Sequence, residues 1–245
     1  MQLSRREFGA WAASAALAFR VGRAAAADPS VFVSGMDIPA TLDPAQTLDV
    51  QATQWALNVY DNLYRYEGNP AEMKPWLATG HTVSGDGLVW EFTLRPGVKF
   101  HDGSELTADA VVYTVQRLLA INRAPAAPFK PILKPDSVTA TDKYTVRFKL
   151  NQPYGPFFAM IPMLAIVNPQ AIKPHEENGD WGAKWLASND AGSGAYKFLP
   201  ESYMPLEKAD LEINPTLRQT LAAEAAKVRT EPALASEASD CSSAY

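Results

Sequence analysis

Cysteine is all but missing from this sequence: Cys241, near the end of the 245 residues, is the single one. A lone cysteine forms no disulfide within its own chain, so packing has to hold the fold together. Histidine is scarce as well. His81, His101 and His175 are the three, and none stands three or four positions from another, the spacing a zinc-binding helix requires. Positive charge is in deficit, with 22 Lys and Arg against 27 Asp and Glu, a net charge of -5. That balance gives no electrostatic footing for nucleic acid. The G-x-S-x-G elbow of a serine hydrolase is absent, because AGSGA places a glycine directly on each side of Ser193. No phosphate-cradling glycine loop occurs either. The apolar run at residues 9–19, GAWAASAALAF, falls well short of the roughly 20 residues that span a bilayer, and no other run is long enough.

What is present is an ordinary globular composition, 47% apolar and 20% charged, with 19 Pro and 14 Gly that make it rich in loops. The N-terminus reads as an address. Arg5 and Arg6 precede the apolar run, which has no polar face; Arg20 and Arg23 follow it, and then the small residues Ala24 to Ala27. This resembles a twin-arginine export signal over residues 1–27 and implies a periplasmic protein. Its removal takes away four arginines and one glutamate, leaving 18 basic and 26 acidic side chains, a net charge of -8.

Along the remaining chain the pattern mixes α and β. VFVSG at residues 31–35 predicts a strand. Asp49 is placed to cap a helix over residues 50–64, whose apolar positions Ala52, Trp55, Ala56, Val59, Tyr60 and Leu63 share one face. Residues 88–95 alternate as a half-buried strand, with Leu88, Trp90, Phe92 and Leu94 on one side. Residues 137–150 predict a hairpin, residues 163–169 a buried strand stopped by Pro169, and residues 196–199 a further strand. Trp55, Trp90 and Phe92 are expected in the core, while Tyr154, Trp181 and Trp185 fall in less regular segments and are candidates for a cleft.

The densest cluster of polar groups is KFHDGSELTADAVVYTVQRLL, residues 99–119. It sets His101 beside Asp102, then adds Glu105, Thr107 and Asp109. Neighbouring side chains point apart, and a catalytic histidine takes its carboxylate from elsewhere in the fold. Local structure accounts for most of the cluster. HDG makes a turn, Thr107 is a helix N-cap, Asp109 sits where the helix dipole favours a negative charge, and Val111, Val112, Val115, Leu118 and Leu119 form an apolar stripe. His101 is expected as a partly exposed turn residue.

Four stretches carry a family resemblance: TLDP (41–44), VYDNLYRY (59–66), the block from PWLATG to QRLL (75–119) and NDAGSGAYKF (189–198). In this order the chain resembles the peptide/nickel-type solute-binding proteins of bacterial ABC importers, the family 5 extracellular binding proteins, from about residue 30 to Pro215. The resemblance implies a mixed α/β, periplasmic-binding-protein-like type II fold with two lobes. It implies a monomer that needs no cofactor and no metal, takes a small solute such as an oligopeptide, and delivers it to a membrane permease. It places candidate ligand contacts at Ser34, Gly35, Met36 and Asp37 after the first strand, and at Gly192, Ser193 and Gly194 near the crossing between lobes. It divides the chain into a first segment of lobe I (28–58), a second subdomain (59–188) and a return segment of lobe I (189–215).

The tail, residues 216–245, departs from the family pattern. It has good helix propensity up to residue 228, then the composition of a disordered terminus or a shifted reading frame. The expectation is the N-terminal portion of a longer binding protein, incomplete, with the second lobe missing. Two readings of other classes stand beside it: an exported hydrolase using His101 with a distant carboxylate, and a one-lobe module that docks on a transporter partner.

Overall fold

The alternating segment 88–95 becomes the interior of a four-stranded antiparallel sheet. In the computed structural model, which describes residues 31–32, 39–204 and 208–214, that sheet runs β4 (Ala78–Val83), β5 (Val89–Leu94), β7 (Thr145–Lys149) and β6 (Val138–Asp142) in spatial order. The expected export signal at 1–27, the loop residues Ser34, Gly35, Met36 and Asp37, and the tail at 216–245 lie outside the described residues. Phe92 pairs across from Val146 and Trp90 from Phe148. Phe92, Leu94, Val146 and Phe148 are buried together, and the Phe92 and Phe148 rings meet edge to face at 5.4 Å. The expected hairpin at 137–150 is β6 and β7.

The long helix α2 (Ala108–Ile121) explains the stripe in residues 111–119. Val111, Val115 and Leu118 enter the same core as the sheet residues. A second face, Ala110, Tyr113, Thr114 and Arg117, recurs at the same helical spacing and is buried too. Tyr113 joins a smaller core with Leu42, Trp55, Val59, Tyr60, Val167 and Phe198, so α2 is covered on two sides. Thr107 holds the N-cap position with an extended backbone, but its hydroxyl makes no capping bond; Asp109 lies in the first turn.

The helix expected over 50–64 is shorter: α1 (Val50–Val59) ends at Tyr60. The Val59 carbonyl, which would have continued the helix, accepts instead from the Gly194 amide at 2.9 Å, and the Asp61 carbonyl accepts from Ile166. Residues beyond it turn into β2 (Tyr64–Glu67), paired with β3 (Glu72–Pro75). At the other end Asp49 caps as expected, its Oδ1 accepting from the Ala52 amide at 2.6 Å. That bond holds the Asp49 carboxyl below the usual carboxylate range, helped by the Thr47 hydroxyl. The variant Asp49→Ala is expected to lose about 1 kcal/mol in urea denaturation at pH 7, and a loss indistinguishable from zero would show that α1 does not depend on its cap.

The buried strand expected at 163–169 forms no ladder. Leu164, Ile166 and Val167 are buried, yet their stretch runs as irregular chain whose amides are used singly: Ile166 to the Asp61 carbonyl, Val167 to the Thr114 hydroxyl, Asn168 to the Ala191 carbonyl. Three short helices flank this region, α3 (Phe157–Met160), α4 (Pro169–Ile172) and α5 (Ala183–Leu186). The chain then returns through β8 (Tyr196–Met204) and β9 (Lys208–Ile213), with β1 (Val31–Phe32) pairing on β9 in the order β1-β9-β8. Residues 33–35 of the expected first strand lie outside the described residues.

Candidate functional site

Two buried polar joints bring distant segments together, and both involve stretches singled out by their sequence. The first gathers the HDG turn, the end of α1, Asn168 and the glycine turn at 190–194. The His101 amide donates to the Gly192 carbonyl at 2.8 Å. The His101 ring puts Nδ1 2.8 Å from Asp190 Oδ2 and Nε2 3.0 Å from the Gly194 carbonyl oxygen. Both partners are acceptors, so making both bonds at once requires a proton on each ring nitrogen, the imidazolium form. Burial pulls its pKa down, but the hydrogen bond and charge of Asp190 outweigh that and leave it above the ordinary value.

Around this pair most polar side chains bond to one another or to the backbone. Asp190 also accepts from the amides of Gly192 and Phe198. The Ser193 hydroxyl donates to Asp61 Oδ2 at 2.8 Å, and Asp61 Oδ1 accepts from the Trp76 indole at 2.7 Å. Asn168 donates to Asp102 and Ser104, fixing the turn that follows His101. Gly192 and Gly194 lie against the α1 terminus so closely that a Cβ on either would stand 2.0 Å from the Val59 oxygen or 2.7 Å from the Asn58 oxygen. Gly192, Ser193 and Gly194 are thus brought together, buried, and engaged with protein groups.

The second joint is an ion pair. Arg117 grips Asp43 of the TLDP segment with both terminal nitrogens at 2.7 Å and donates from Nε to the Trp181 carbonyl at 2.8 Å. Arg117 is 1% exposed and Asp43 is fully buried. Trp181 has φ 56°, a left-handed conformation that bulky residues rarely adopt, and the Arg117 bond holds its carbonyl there. Between the two joints lies the Tyr60 hydroxyl, buried and without a hydrogen-bond partner among the described residues. Burial first, then the carboxylates of Asp190 and Asp43, push its pKa up, so it stays neutral.

His101 is therefore not the partly exposed turn residue expected. Its side chain is 4% exposed, and it does meet a carboxylate from a distant segment. The same geometry caps Nε2 with a carbonyl oxygen, leaving no ring nitrogen free to take a substrate proton. Glu105, Thr107 and Asp109 line a cavity of about 210 Å³ with Phe100, Asn168 and Lys173. Among the described residues no group of three or more His, Cys, Asp or Glu is placed to hold a metal, and no helix is long and apolar enough to cross a membrane. Of the aromatic cleft candidates, Tyr154 packs partly buried on the larger core, Trp181 and Trp185 on the smaller one.

A model of the bacterial extracellular solute-binding proteins, family 5 (middle), matches residues 72–229. The chain belongs to this family. The match takes in the HDG turn, Asn168 and the whole 190–194 turn, and extends beyond Pro215. The probable D,D-dipeptide-binding periplasmic protein DdpA of Escherichia coli (strain K12) is 34% identical over 203 residues, covering 80% of this chain and 38% of that protein. The glutathione-binding protein GsiB of Salmonella typhimurium is 32% identical over 166 residues, 64% of this chain and 29% of that one. Among solved structures, the ABC transporter-associated periplasmic binding protein DppA from Helicobacter pylori, in complex with peptide STSA, aligns with a TM-score of 0.62 at 28% identity, over 73% of this chain and 38% of that chain. The fold is that of the type II periplasmic binding proteins, and the chain spans only 29% to 38% of the length of these relatives. Asp61, Asp190, Asn168 and the Asp43–Arg117 pair were not legible as partners. The one available signal was Arg117 itself, a charge on a helical face otherwise made of Ala110, Tyr113 and Thr114.

Proposed function

We propose that this chain is part of the substrate-binding subunit of an ABC importer, exported by its twin-arginine signal to the periplasm, taking up peptides or similar small solutes for a membrane permease. The family match over residues 72–229 carries this reading. The related DdpA and GsiB are binding proteins by name, and the histidine–carboxylate pair here is sealed inside the fold, which supports binding without turnover. In this reading residues 28–58 and 189–215 belong to one lobe and residues 59–188 to a second subdomain. Ser34, Gly35, Met36, Asp37, Gly192, Ser193 and Gly194 are the candidate contacts to the solute.

Thermal melts of the purified chain with di- and oligopeptides, run beside a peptidase and esterase assay, test this. The expected result is a saturable rise in melting temperature and no turnover; a ligand at a hundred times its Kd stabilises by about 2.7 kcal/mol. Sustained hydrolysis that is lost in His101→Gln would replace this reading with the hydrolase one. Melting temperatures that no peptide moves would remove the peptide-binding reading for this chain.

A further inference from the structure

We propose that His101 is a protonation latch: as an imidazolium it clamps the turn at 101–104 to the crossing at 190–194, and loss of one proton releases the crossing while the β5–β7 sheet stays folded. The clamp has three bonds from one residue, the His101 amide to the Gly192 carbonyl and the two ring nitrogens to Asp190 and the Gly194 carbonyl. A neutral imidazole has one N–H. Whichever nitrogen keeps it, the other presents a lone pair to an acceptor, and the His101 and Asp190 side chains are only 4% and 7% exposed, so water does not fill in for the missing donor.

The release is local because each acceptor of the ring has other donors on its own side. Asp190 keeps the amides of Gly192 and Phe198, and the Gly194 oxygen keeps the Asn214 side-chain amide at 2.9 Å. What is lost is one of the three bonds across to the turn, replaced by a lone pair facing an acceptor. The charged groups around the ring favour the proton: Asp190 in contact, and Asp61 from the segment after α1. Asp102, next in the turn, directs its carboxylate at Ser104 and Asn168 instead. The Tyr60 hydroxyl, within reach of the Asp190 charge, stays neutral.

The sign follows from the closed state holding its proton more tightly than an exposed histidine, whose ordinary value is near 6.5. Below about pH 6.5 both open and closed forms are protonated and opening is independent of pH. Above it opening rises about tenfold per pH unit, until the closed form also loses its proton and the effect levels off. The joint is stiffest below about pH 6.5 and slackens as the pH rises above it.

Nitrogen NMR of the histidines and amide hydrogen exchange on the full chain, corrected for intrinsic exchange, test this. At pH 7 the His101 ring should carry protons on both nitrogens. Above pH 7 protection at the His101, Asn168 and Gly194 amides should fall about tenfold per pH unit while the amides of β5 and β7 keep theirs. His101→Gln, whose side chain does not titrate, should show protection at Asn168 and Gly194 with no pH dependence. A singly protonated His101 at pH 7, equal loss of protection in crossing and sheet, or a pH dependence surviving in His101→Gln would each overturn the latch. Should the variant fail to fold, the ring-nitrogen spectrum and exchange of the unaltered chain decide alone.

Discussion

Replacing Arg117 with methionine is expected to destabilise the chain by about 3–5 kcal/mol in urea denaturation at pH 7. The reason is the Asp43 carboxylate, fully buried and held by both terminal nitrogens of Arg117. Without the guanidinium it keeps only the Ala45 amide and the Gln46 side chain as donors, and the Trp181 carbonyl loses its partner as well. Asp43→Leu alone should be of similar size, because it strands the cation instead. The double variant Arg117→Met/Asp43→Leu should recover most of the loss, since two well-packed apolar side chains replace a buried pair without leaving a charge behind. Arg117→Lys should recover little, because an ammonium cannot make two parallel bonds to one carboxylate and a third to a carbonyl. A single variant within about 1 kcal/mol of the parent would mean that the pair is more solvated than its geometry implies.

Gly192→Ala should be comparably severe, a loss of about 3 kcal/mol or more, for a steric reason. The added methyl would lie 2.0 Å from the Val59 carbonyl oxygen, and that oxygen is fixed by the Gly194 amide at the end of α1. Neither side can retreat, because the crossing is also tied to His101 and Asn168. Gly80→Ala is the control: nothing lies within 4 Å of a Cβ built there, so its effect should stay within about 0.5 kcal/mol. Thermal or urea denaturation of the two variants side by side checks both. Equal stabilities would show that the crossing is loose enough to shift away from α1.

Both results concern contacts between segments far apart in the chain, which is where sequence reading was weakest. Phe92 and Leu94 in β5, Val111, Val115 and Leu118 in α2, and the hairpin of β6 and β7 followed from period-2 and period-3.6 patterning, because those periods express which side chains share a face. The helix over 50–64 was overextended for the opposite reason. Residues 60–63 have no local stop signal, and α1 ends where a glycine from position 194 takes its last carbonyl. The strand expected at 163–169 failed likewise. Its apolar run was correctly read as buried, but the amides found single partners in Asp61, Thr114 and Ala191 instead of a neighbouring strand.

His101 marks the boundary most sharply. Its place in a turn before a helix was local information, carried by Asp102, Gly103 and Asp109. Its partners stand about ninety positions away, and nothing in the sequence near His101 distinguishes Asp190 from the other carboxylates. By itself the sequence determined the strands and helices whose side chains repeat with a period, the cap at Asp49 and the family. The tertiary structure alone decided which charges meet, that Arg117 finds Asp43, and that both nitrogens of His101 are used. Periodicity is a property of neighbours along the chain, whereas a buried charge is satisfied only by whatever group the folded chain carries to it.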